Sequence, residues 1–578
     1  MIRNNKSKII GVIYLLIGFY MLVMGMNGKG IFIEDLKDKF GLFYIGAFSS
    51  LILGALCFVA DGLKRASYLS RIVVGSLFLV SGLIKANDSL GFSFKLEEYF
   101  DPSALDWSFF HDHHWSIPLA ILISAGEVIL GLAVLFGGFI RISSWALLGM
   151  TLFFAWLTYF TANCNDAQLI ALASGEEFGH TCVTDCGCFG DALKGSVGRS
   201  LNPWESFYKD ITLLFFVMII FVQQRKIKFN QRKEDLIILP AALLFVVLVG
   251  GWLFNWWFPL LFLLICTGAY LLVKKIILSN IQVLVTAIII CLFSLSFVSY
   301  TYTYLPIKDY RGYAIGNDLN EKKNDGIAQI NNNLYSYKHK ETGEVLEIFQ
   351  EEYLKRWKEI GENYDWISTE EIVVLEGRPA SIQDFAPFQY YQNIPETLKN
   401  DSVLSISIDE KYDSYFEEFI VLKDRIYHQY DTVLAVDYLL EYYPDSIYDK
   451  IGTVEREVDA SSEFRIDFTD YLFSLEKVLL IVSYDYKLSS SSGWTSMVEL
   501  IRNANKNGIP VFCLSSVSNL QAKEIKQTYG LDFTYLISDP TEMKIIVRSN
   551  PGIVYLNNGF VIDKWDYNRI PNLEDLKN

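Results

Sequence analysis

Four cysteines in one short stretch of the chain are the residues best suited to chemistry. Cys182, Cys186 and Cys188 fall within seven residues, and Cys164 lies just upstream. Thiols this close together can form disulfides, exchange them with a partner or bind a metal ion. Apolar segments long enough to span a bilayer flank the stretch, so the chemistry depends on the side of the membrane that it faces.

The composition indicates a membrane half followed by a soluble half. The chain has 578 residues, of which 51% are hydrophobic and 15% aromatic; this is too apolar for one soluble globule and too long for one domain. The long apolar runs lie before residue 300, and most acidic residues lie after it. The net charge of −16 argues against nucleic acid as a partner.

Nine apolar segments are predicted to cross the bilayer. Some are shorter than the roughly 20 residues that a spanning helix needs, and their aromatic flanks extend them. The long run from residue 236 to 273 is divided at Trp256 and Pro259, because Trp suits an interface and Pro a turn. The predicted spans are Ile9–Met26, Leu42–Val59, Ile72–Ile84, Ile117–Phe136, Trp145–Phe160, Ile211–Val222, Leu236–Leu253, Phe258–Val273 and Ile281–Val298.

Lys and Arg residues set the predicted orientation. They occur in alternate loops, and basic loops face the cytoplasm. The loop 161–207 and everything after residue 300 then face the opposite, extracytoplasmic side. One span more or fewer would move the soluble half to the cytoplasm. The basic loops lie at residues 3–8, 64–71, 141, 225–233 and 274–275.

In an oxidising compartment the four cysteines are expected to lie close together as disulfides or disulfide-competent pairs. Four cysteines allow three pairings, and Cys164, which follows a predicted helix, is expected to pair with one of the other three. Two structural bridges are one alternative. A redox-active pair is another, with Cys186 and Cys188 as the best candidates because their small ring is strained. Zinc with His180 is a third, but the spacing matches no standard zinc pattern, so no metal ligand is assigned.

Two ionisable residues are placed in or at the end of predicted spans. Glu127 lies in the middle of Ile117–Phe136, and Lys85 follows Ile72–Ile84. Burying such a group in a bilayer is costly, which makes each a functional candidate; a structural contact between helices is the alternative. Glu127 is expected to face the bundle interior and to contact Lys85 or a hydroxyl group.

Residues 67–223 contain several motifs that can be compared with known families: Arg71, Gly75, Phe78–Gly82, Lys85, Asp88, Gly91–Phe100, Glu127, Gly131, Asp185–Asp191 and Asn202–Trp204. Together they resemble the DoxX/MauE group of membrane proteins, in the versions found in Bacteroidetes-type bacteria. The resemblance implies a four-helix inner-membrane bundle associated with redox work. MauE-like members are linked to disulfide formation in a periplasmic dehydrogenase, and DoxX-like members to quinone-coupled oxidation of sulfur compounds. A quinone is therefore the cofactor that the resemblance suggests.

The last part of the chain reads as an α/β domain. Val478–Ser483 and Val511–Ser515 are predicted strands, each followed by a helix, and a strand–turn–strand unit ends near Trp565. This order resembles the thioredoxin-like domains of the TlpA and peroxiredoxin group, and Pro551 falls where that fold carries its cis-proline. The CxxC of that group is absent, and Cys513 lies inside a strand. The domain is therefore expected to bind or dock rather than to do dithiol chemistry.

The region between the membrane half and this domain is less regular. Tyr335–Glu352 is predicted to form a hairpin that turns at Thr342-Gly343. Helical patterns are predicted around Tyr412–His428 and Thr432–Tyr443. The predicted divisions are 1–66, a transmembrane hairpin; 67–235, a four-helix domain; 236–300, three further transmembrane helices; 301–390, a linker and small β region; 391–465, an acidic insertion; and 466–578, the thioredoxin-like domain.

Two functions fit these expectations. The first is an inner-membrane oxidoreductase that carries out thiol–disulfide or quinone-linked electron transfer through Cys164, Cys182, Cys186 and Cys188, with a periplasmic protein thiol as partner. The second is a non-enzymatic scaffold whose disulfides are structural and whose thioredoxin-like domain binds an envelope protein. The state of the thiols separates the two, because a labile pair supports the first and bridges that resist mild reductant support the second.

Overall fold

The chain folds into two compact units, Met1–Tyr310 and Arg311–Asn578. The structure is a computed structural model. It describes residues 2–26, 36–59, 61–107, 113–174, 178–183, 187–375, 377–386, 389–390, 398, 414–425, 430–434, 446–459, 465–466, 468–517 and 519–572.

The first unit is helical in its described residues, as the apolar runs predict. Most of its helices are long, and the short ones lie between them. They are α1 (Ile2–Met26), α2 (Leu36–Leu56), α3 (Gly62–Asn87), α4 (Ser89–Phe100), α5 (His113–Phe136), α6 (Ile140–Ser174), α7 (Ala192–Val197), α8 (Pro203–Gln223), α9 (Arg232–Val246), α10 (Phe258–Ile276) and α11 (Gln282–Thr303).

Six helices in the described residues are long and apolar enough to cross a membrane, namely α3, α5, α6, α9 with its π-helical continuation Val247–Leu253, α10 and α11. The described apolar parts of α1 and α2, Ser7–Met21 and Ile45–Leu56, are shorter. Helix α8 carries Glu205, Lys209 and Asp210 in its first half. The described residues thus contain six candidate spans, which supports a multi-pass membrane protein, and the count of nine stays a prediction.

Helices α3 and α5 pack so closely that only glycine fits between them. A Cβ atom added at Gly131 would lie 2.7 Å from the carbonyl oxygen of Gly75. One added at Gly82 would lie 2.7 Å from the backbone nitrogen of Val128. Small residues let transmembrane helices approach in this way, because close packing rather than hydrophobicity holds helices together in lipid. This contact fixes the positions of the side chains that the two helices carry.

A buried polar cluster joins this helix pair to the helices that follow. Arg71 on α3 is 1% exposed. Its guanidinium donates to the carbonyl oxygens of Val134 (2.9 Å) and Leu135 (3.1 Å), at the end of α5, and to Oδ1 of Asn230 (2.5 Å). Lys274 on α10 in turn donates to the carbonyl oxygen of Asn230 at 2.8 Å. Cations at a helix C-terminus complement the helix dipole, and here they also tie three segments together.

The second unit contains a five-stranded mixed sheet, in the order β11 (Thr534–Ile537), β10 (Val511–Ser515), β9 (Val478–Ser483), β12 (Gly552–Asn557) and β13 (Phe560–Asp566). Strands β9, β10 and β11 are parallel, whereas β12 is antiparallel to both β9 and β13. The predicted strands and helices of this region are confirmed, and the Asn550–Pro551 peptide bond that precedes β12 is cis. Strands β9 and β10 are buried along their whole length. The elements are α14 (Thr469–Ser474), β9 (Val478–Ser483), α15 (Ser491–Lys506), β10 (Val511–Ser515), α16 (Asn519–Tyr529), β11 (Thr534–Ile537), α17 (Pro540–Ile546), β12 (Gly552–Asn557) and β13 (Phe560–Asp566).

Before this sheet the chain forms smaller ones. The predicted hairpin is confirmed as β1 (Ile330–His339) paired with β2 (Val345–Phe349), with Gly343 at a positive φ of 73° between them. Strand β3 pairs with the other edge of β1. The elements are α12 (Leu319–Lys323), β1 (Ile330–His339), β2 (Val345–Phe349), α13 (Gln350–Asn363), β3 (Tyr364–Leu375), β4 (Gln389–Tyr390), β5 (Ser414–Asp424), β6 (Tyr430–Leu434), β7 (Tyr448–Asp459) and β8 (Arg465–Ile466).

The helical pattern predicted at Tyr412–His428 is wrong. Residues 414–424 form strand β5, which pairs with both β6 and β7. Ile420 and Leu422 are buried on one side of it, at the spacing of two that a strand requires. At Thr432–Tyr443 the residues up to Leu434 are strand β6, and 435–443 lie outside the described residues. Aromatic and β-branched residues favour strands, and pairing with distant segments decides between two local patterns.

Candidate functional site

One disulfide joins the cysteine stretch to α6. Cys164 lies within this helix and bonds to Cys182, with their Cα atoms 5.7 Å apart. Both cysteines are half-buried. The structure therefore brings together Cys164 and one member of the 182–188 group.

Hydrogen bonds on both sides of Cys182 hold the segment in place. Asn165, next to the bridge on α6, donates its side-chain amide to the carbonyl oxygen of Val183 at 2.8 Å. The backbone N–H of Thr181 donates to the carbonyl oxygen of Ser103 at 3.1 Å. The disulfide is thus one of several contacts that fix this segment, which is typical of a structural bridge.

Cys188 lies in a different setting from the bridged pair. It is buried, at 8% exposure, against helix α3. The hydroxyl of Ser81 on α3 donates to the Cys188 carbonyl oxygen at 3.2 Å. Gly187, just before it, adopts a left-handed φ of 60° that side-chain-bearing residues rarely take. Cys186, the predicted exchange partner, lies outside the described residues.

Lys85 and Glu127 form a buried ion pair between α3 and α5. The Lys85 Nζ atom lies 2.9 Å from both carboxylate oxygens of Glu127, and the two side chains are 4% and 3% exposed. Lys85 also donates to the Ser81 hydroxyl at 2.7 Å. Glu127 therefore faces the interior of the bundle against Lys85, one of the partners that the sequence predicts. Pairing of this kind offsets the cost of burying either charge alone.

A cavity of about 230 Å³ opens beside this ion pair. Its wall is apolar and largely aromatic, and Lys85 and Cys188 both reach it. The ring of Trp107 lies nearly parallel to those of Phe100 and Trp156, with centroids 5.7 and 5.9 Å away. The lining residues are Lys85, Phe92, Leu96, Tyr99, Phe100, Trp107, Leu119, Ile123, Phe153, Phe154, Leu157 and Cys188.

The residues around the cavity fit a flat ring that carries oxygen. Aromatic walls pack against a ring, and a few polar groups fix its orientation. The volume is below the roughly 300 Å³ at which pockets for drug-sized molecules begin, so it suits a ring headgroup rather than a whole lipid. Lys85 supplies a cationic donor for an oxygen atom, and Cys188 places sulfur at the same wall. These features agree with a quinone headgroup.

The start of α8 is fixed next to the bridged cysteines. Asn202 and Glu205 cap the helix reciprocally: each backbone N–H donates to the other side chain, at 2.9 Å from Asn202 and 2.8 Å from Glu205. The indole Nε1–H of Trp204 donates to Oδ2 of Asp166 on α6 at 2.9 Å. The Asn-Pro-Trp motif of the sequence is thus a structural clamp between α8 and α6.

Sequence reasoning missed Ser81 as a member of the site. It lies one helical turn before Lys85, so the spacing alone placed it on the same face of α3. It also missed the cavity, whose wall combines α4 with residues of α5 and α6. Among the described residues no three His, Cys, Asp or Glu side chains gather in a way that could hold a metal ion.

Comparison with known families agrees with the membrane half. Residues 63–223 match the family model described as methylamine utilisation protein MauE. The match spans 161 of the 578 residues and contains the cysteines, the ion pair and the cavity. No curated protein and no solved structure gave a significant match to the chain. With the six apolar helices, the family match supports a MauE-type membrane protein.

Proposed function

We propose that the MauE-type domain is a thiol–disulfide oxidoreductase that moves electrons from a protein thiol partner in the cell envelope to a quinone. The observation that carries this proposal is the position of Cys188, which lines one aromatic cavity together with Lys85. The bridged pair, Cys164 and Cys182, is absent from the cavity wall. The structure thus separates a bridge held by surrounding hydrogen bonds from a cysteine placed beside a ligand-sized space.

The proposed reaction transfers a disulfide to the partner and then reoxidises the cysteine pair. A partner thiolate attacks the Cys186–Cys188 disulfide, breaking its S–S bond and forming a mixed disulfide. A second thiolate of the partner then attacks the partner sulfur of the mixed disulfide and displaces the cysteine of this chain, so the partner leaves with its own disulfide and the pair becomes two thiols. Reoxidation of the pair releases two electrons and two protons. A quinone held in the cavity would supply the acceptor for both and leave as a hydroquinone.

Protein side chains would position that acceptor. Phe92, Phe100 and Trp107 line the cavity with aromatic rings, and Lys85 would donate a hydrogen bond to a carbonyl oxygen of the acceptor. Cys188 lines the same wall, which would place it next to the bound acceptor.

The test uses the full chain in nanodiscs with a reduced dithiol peptide and a short-chain benzoquinone. We expect hydroquinone formation that is lost in Cys188→Ser and in Cys186→Ser. The double variant Cys164→Ser/Cys182→Ser serves as the control and should keep its activity if it folds. Full activity in the Cys186→Ser/Cys188→Ser double variant would contradict the proposal.

A scaffold remains the second candidate, and the 311–578 unit favours it. Its mixed five-stranded sheet supports a thioredoxin-like domain. The sole cysteine of this unit in the sequence, Cys513, is 2% exposed. Burial raises the pKa of its thiol to about 12, so the reactive thiolate is scarce. We propose that this unit docks a partner, and that residues 301–578 alone do not reduce insulin disulfides; reduction would overturn that part.

The proposed site requires the cysteine stretch and the 311–578 unit to face the periplasm of a bacterial inner membrane. The alternation of basic loops supports this orientation. A reporter fused after residue 230 should behave as cytoplasmic, and one fused after residue 310 as periplasmic. If both report the same side, the orientation and the count of nine spans are wrong.

A further inference from the structure

We infer that Lys85 is the group that binds the oxygen of the acceptor, and that Ser81 links this contact to the backbone of Cys188. The inference rests on the proposed function and names residues that bind and position within the same site. It starts from a continuous chain of hydrogen bonds. Glu127 accepts from Lys85, Lys85 donates to Ser81, and Ser81 donates to the Cys188 carbonyl oxygen.

The hydrogen-bond inventory of Lys85 shows how a ligand would enter this chain. An ammonium group has three protons, and its three acceptors here are the two oxygens of Glu127 and the Ser81 hydroxyl. Lys85 nevertheless lines the cavity. A carbonyl oxygen in the cavity must therefore replace one of these acceptors. Ser81 is the neutral one, and its replacement costs less than separating the ion pair.

Releasing Ser81 from Lys85 has a consequence for Cys188. The Ser81 hydroxyl holds the backbone of Cys188 with the same oxygen atom that accepts from Lys85. Linked hydrogen bonds strengthen one another. A ligand that takes the place of Ser81 at Lys85 therefore changes the strength of the hydrogen bond from the Ser81 hydroxyl to the Cys188 carbonyl oxygen. Lys85 is the binding group in this arrangement, and Ser81 is a positioning residue for Cys188.

Two aromatic rings of the cavity wall lie beside the Lys85 ammonium group. Lys85 Nζ lies 5.7 Å from the ring centre of Phe92 and 5.6 Å from that of Phe154. Both rings belong to the cavity wall. Cation–π contacts at this range stabilise an ammonium group that has left water. They also leave Lys85 between the rings that would flank a bound headgroup.

The first experiment measures binding without turnover. A water-soluble short-chain benzoquinone is equilibrated by dialysis against the full chain in nanodiscs. Lys85→Met is combined with Glu127→Gln so that no charge is left buried alone. We expect this double variant to weaken binding about tenfold or more, as loss of a hydrogen bond to a charged group predicts. Lys85→Arg keeps the cation and should stay within about fivefold of the wild-type protein.

The second experiment tests Ser81 against a matched neighbour. Ser76 lies on the same helix, is fully buried, and its hydroxyl has no hydrogen-bond partner among the described residues. Ser81→Ala should lower the rate of cysteine reoxidation at saturating benzoquinone by about fivefold or more without weakening binding. Ser76→Ala should change neither quantity. Equal behaviour of the two variants would overturn the role of Ser81.

The exchange half-reaction separates this inference from the proposed function. Transfer of the disulfide from the wild-type protein to a dithiol peptide, measured in a single turnover without quinone, tests the proposed function without involving the acceptor. Loss of exchange in the wild-type protein would instead overturn the proposed function. Wild-type-like binding by the double variant would overturn Lys85 as the anchor. Absence of benzoquinone binding to the wild-type protein would overturn both the acceptor and its anchor.

Discussion

Removing the Cys164–Cys182 bridge should loosen one end of α6 without stopping thiol exchange. The two cysteines are 18 residues apart in sequence. Closing a loop of that length removes chain entropy worth about 3 kcal/mol from the opened state at 25 °C. The Asn165 and Thr181 hydrogen bonds remain in the Cys164→Ser/Cys182→Ser variant, so we expect the segment to stay folded but to open more often.

Amide hydrogen exchange in nanodiscs gives the assay. A loss of about 3 kcal/mol predicts that exchange in residues 161–174 accelerates on the order of a hundredfold, since roughly 1.4 kcal/mol is a factor of ten. Residues 78–84 on α3 serve as the internal control and should not change. A change under about 1 kcal/mol, or an equal change on α3, would refute the assignment of the bridge as a local structural link.

Three further outcomes follow from the contacts. Lys85→Met should destabilise the bundle by about 3–5 kcal/mol because it leaves Glu127 buried and unpaired, whereas Lys85→Met with Glu127→Gln should restore much of this in a detergent thermal-stability series. Gly131→Ala should cost about 1–3 kcal/mol by overpacking against backbone atoms, while Gly149→Ala, which meets nothing within 4 Å, should cost nothing in the same assay. Burial raises the pKa of Glu542 in the 311–578 unit, so the folded state binds its proton more tightly than the unfolded state. The free energy of unfolding should therefore fall as pH rises from the ordinary pKa of the carboxyl group to the raised one. Hydrogen exchange should show this pH dependence in the wild type and not in Glu542→Gln.

Local patterns were enough to predict many elements of the fold. The run Val478–Ser483 is a buried strand, and Asn519–Tyr529 is a helix with the predicted bounds. The helix predicted at Tyr412–His428 is wrong because aromatic residues at helical spacing also suit a strand. Pairing with the distant strand β7 favours the strand here. Local pattern is a weak prior where tertiary pairing competes with it.

The candidate site was only partly predictable. The cost of a buried carboxylate predicted that Glu127 faces the bundle interior against Lys85 or a hydroxyl group, because that cost depends on one residue and its surroundings. The cavity could not be predicted in this way. Leu119 and Phe153, which line it, are as apolar as residues that face lipid, so their orientation depends on how α4, α5 and α6 pack together.

The Arg71 cluster determines where this chain can be divided. The family match ends at residue 223, yet Asn230, which accepts from the buried Arg71, lies beyond that point. Lys274, farther still along the chain, holds the backbone of Asn230. A chain cut at residue 223 would leave a guanidinium buried with fewer acceptors, which is among the more costly defects in a membrane interior. The smallest autonomous form of the domain therefore extends through α10, and homology and folding place its boundary at different residues.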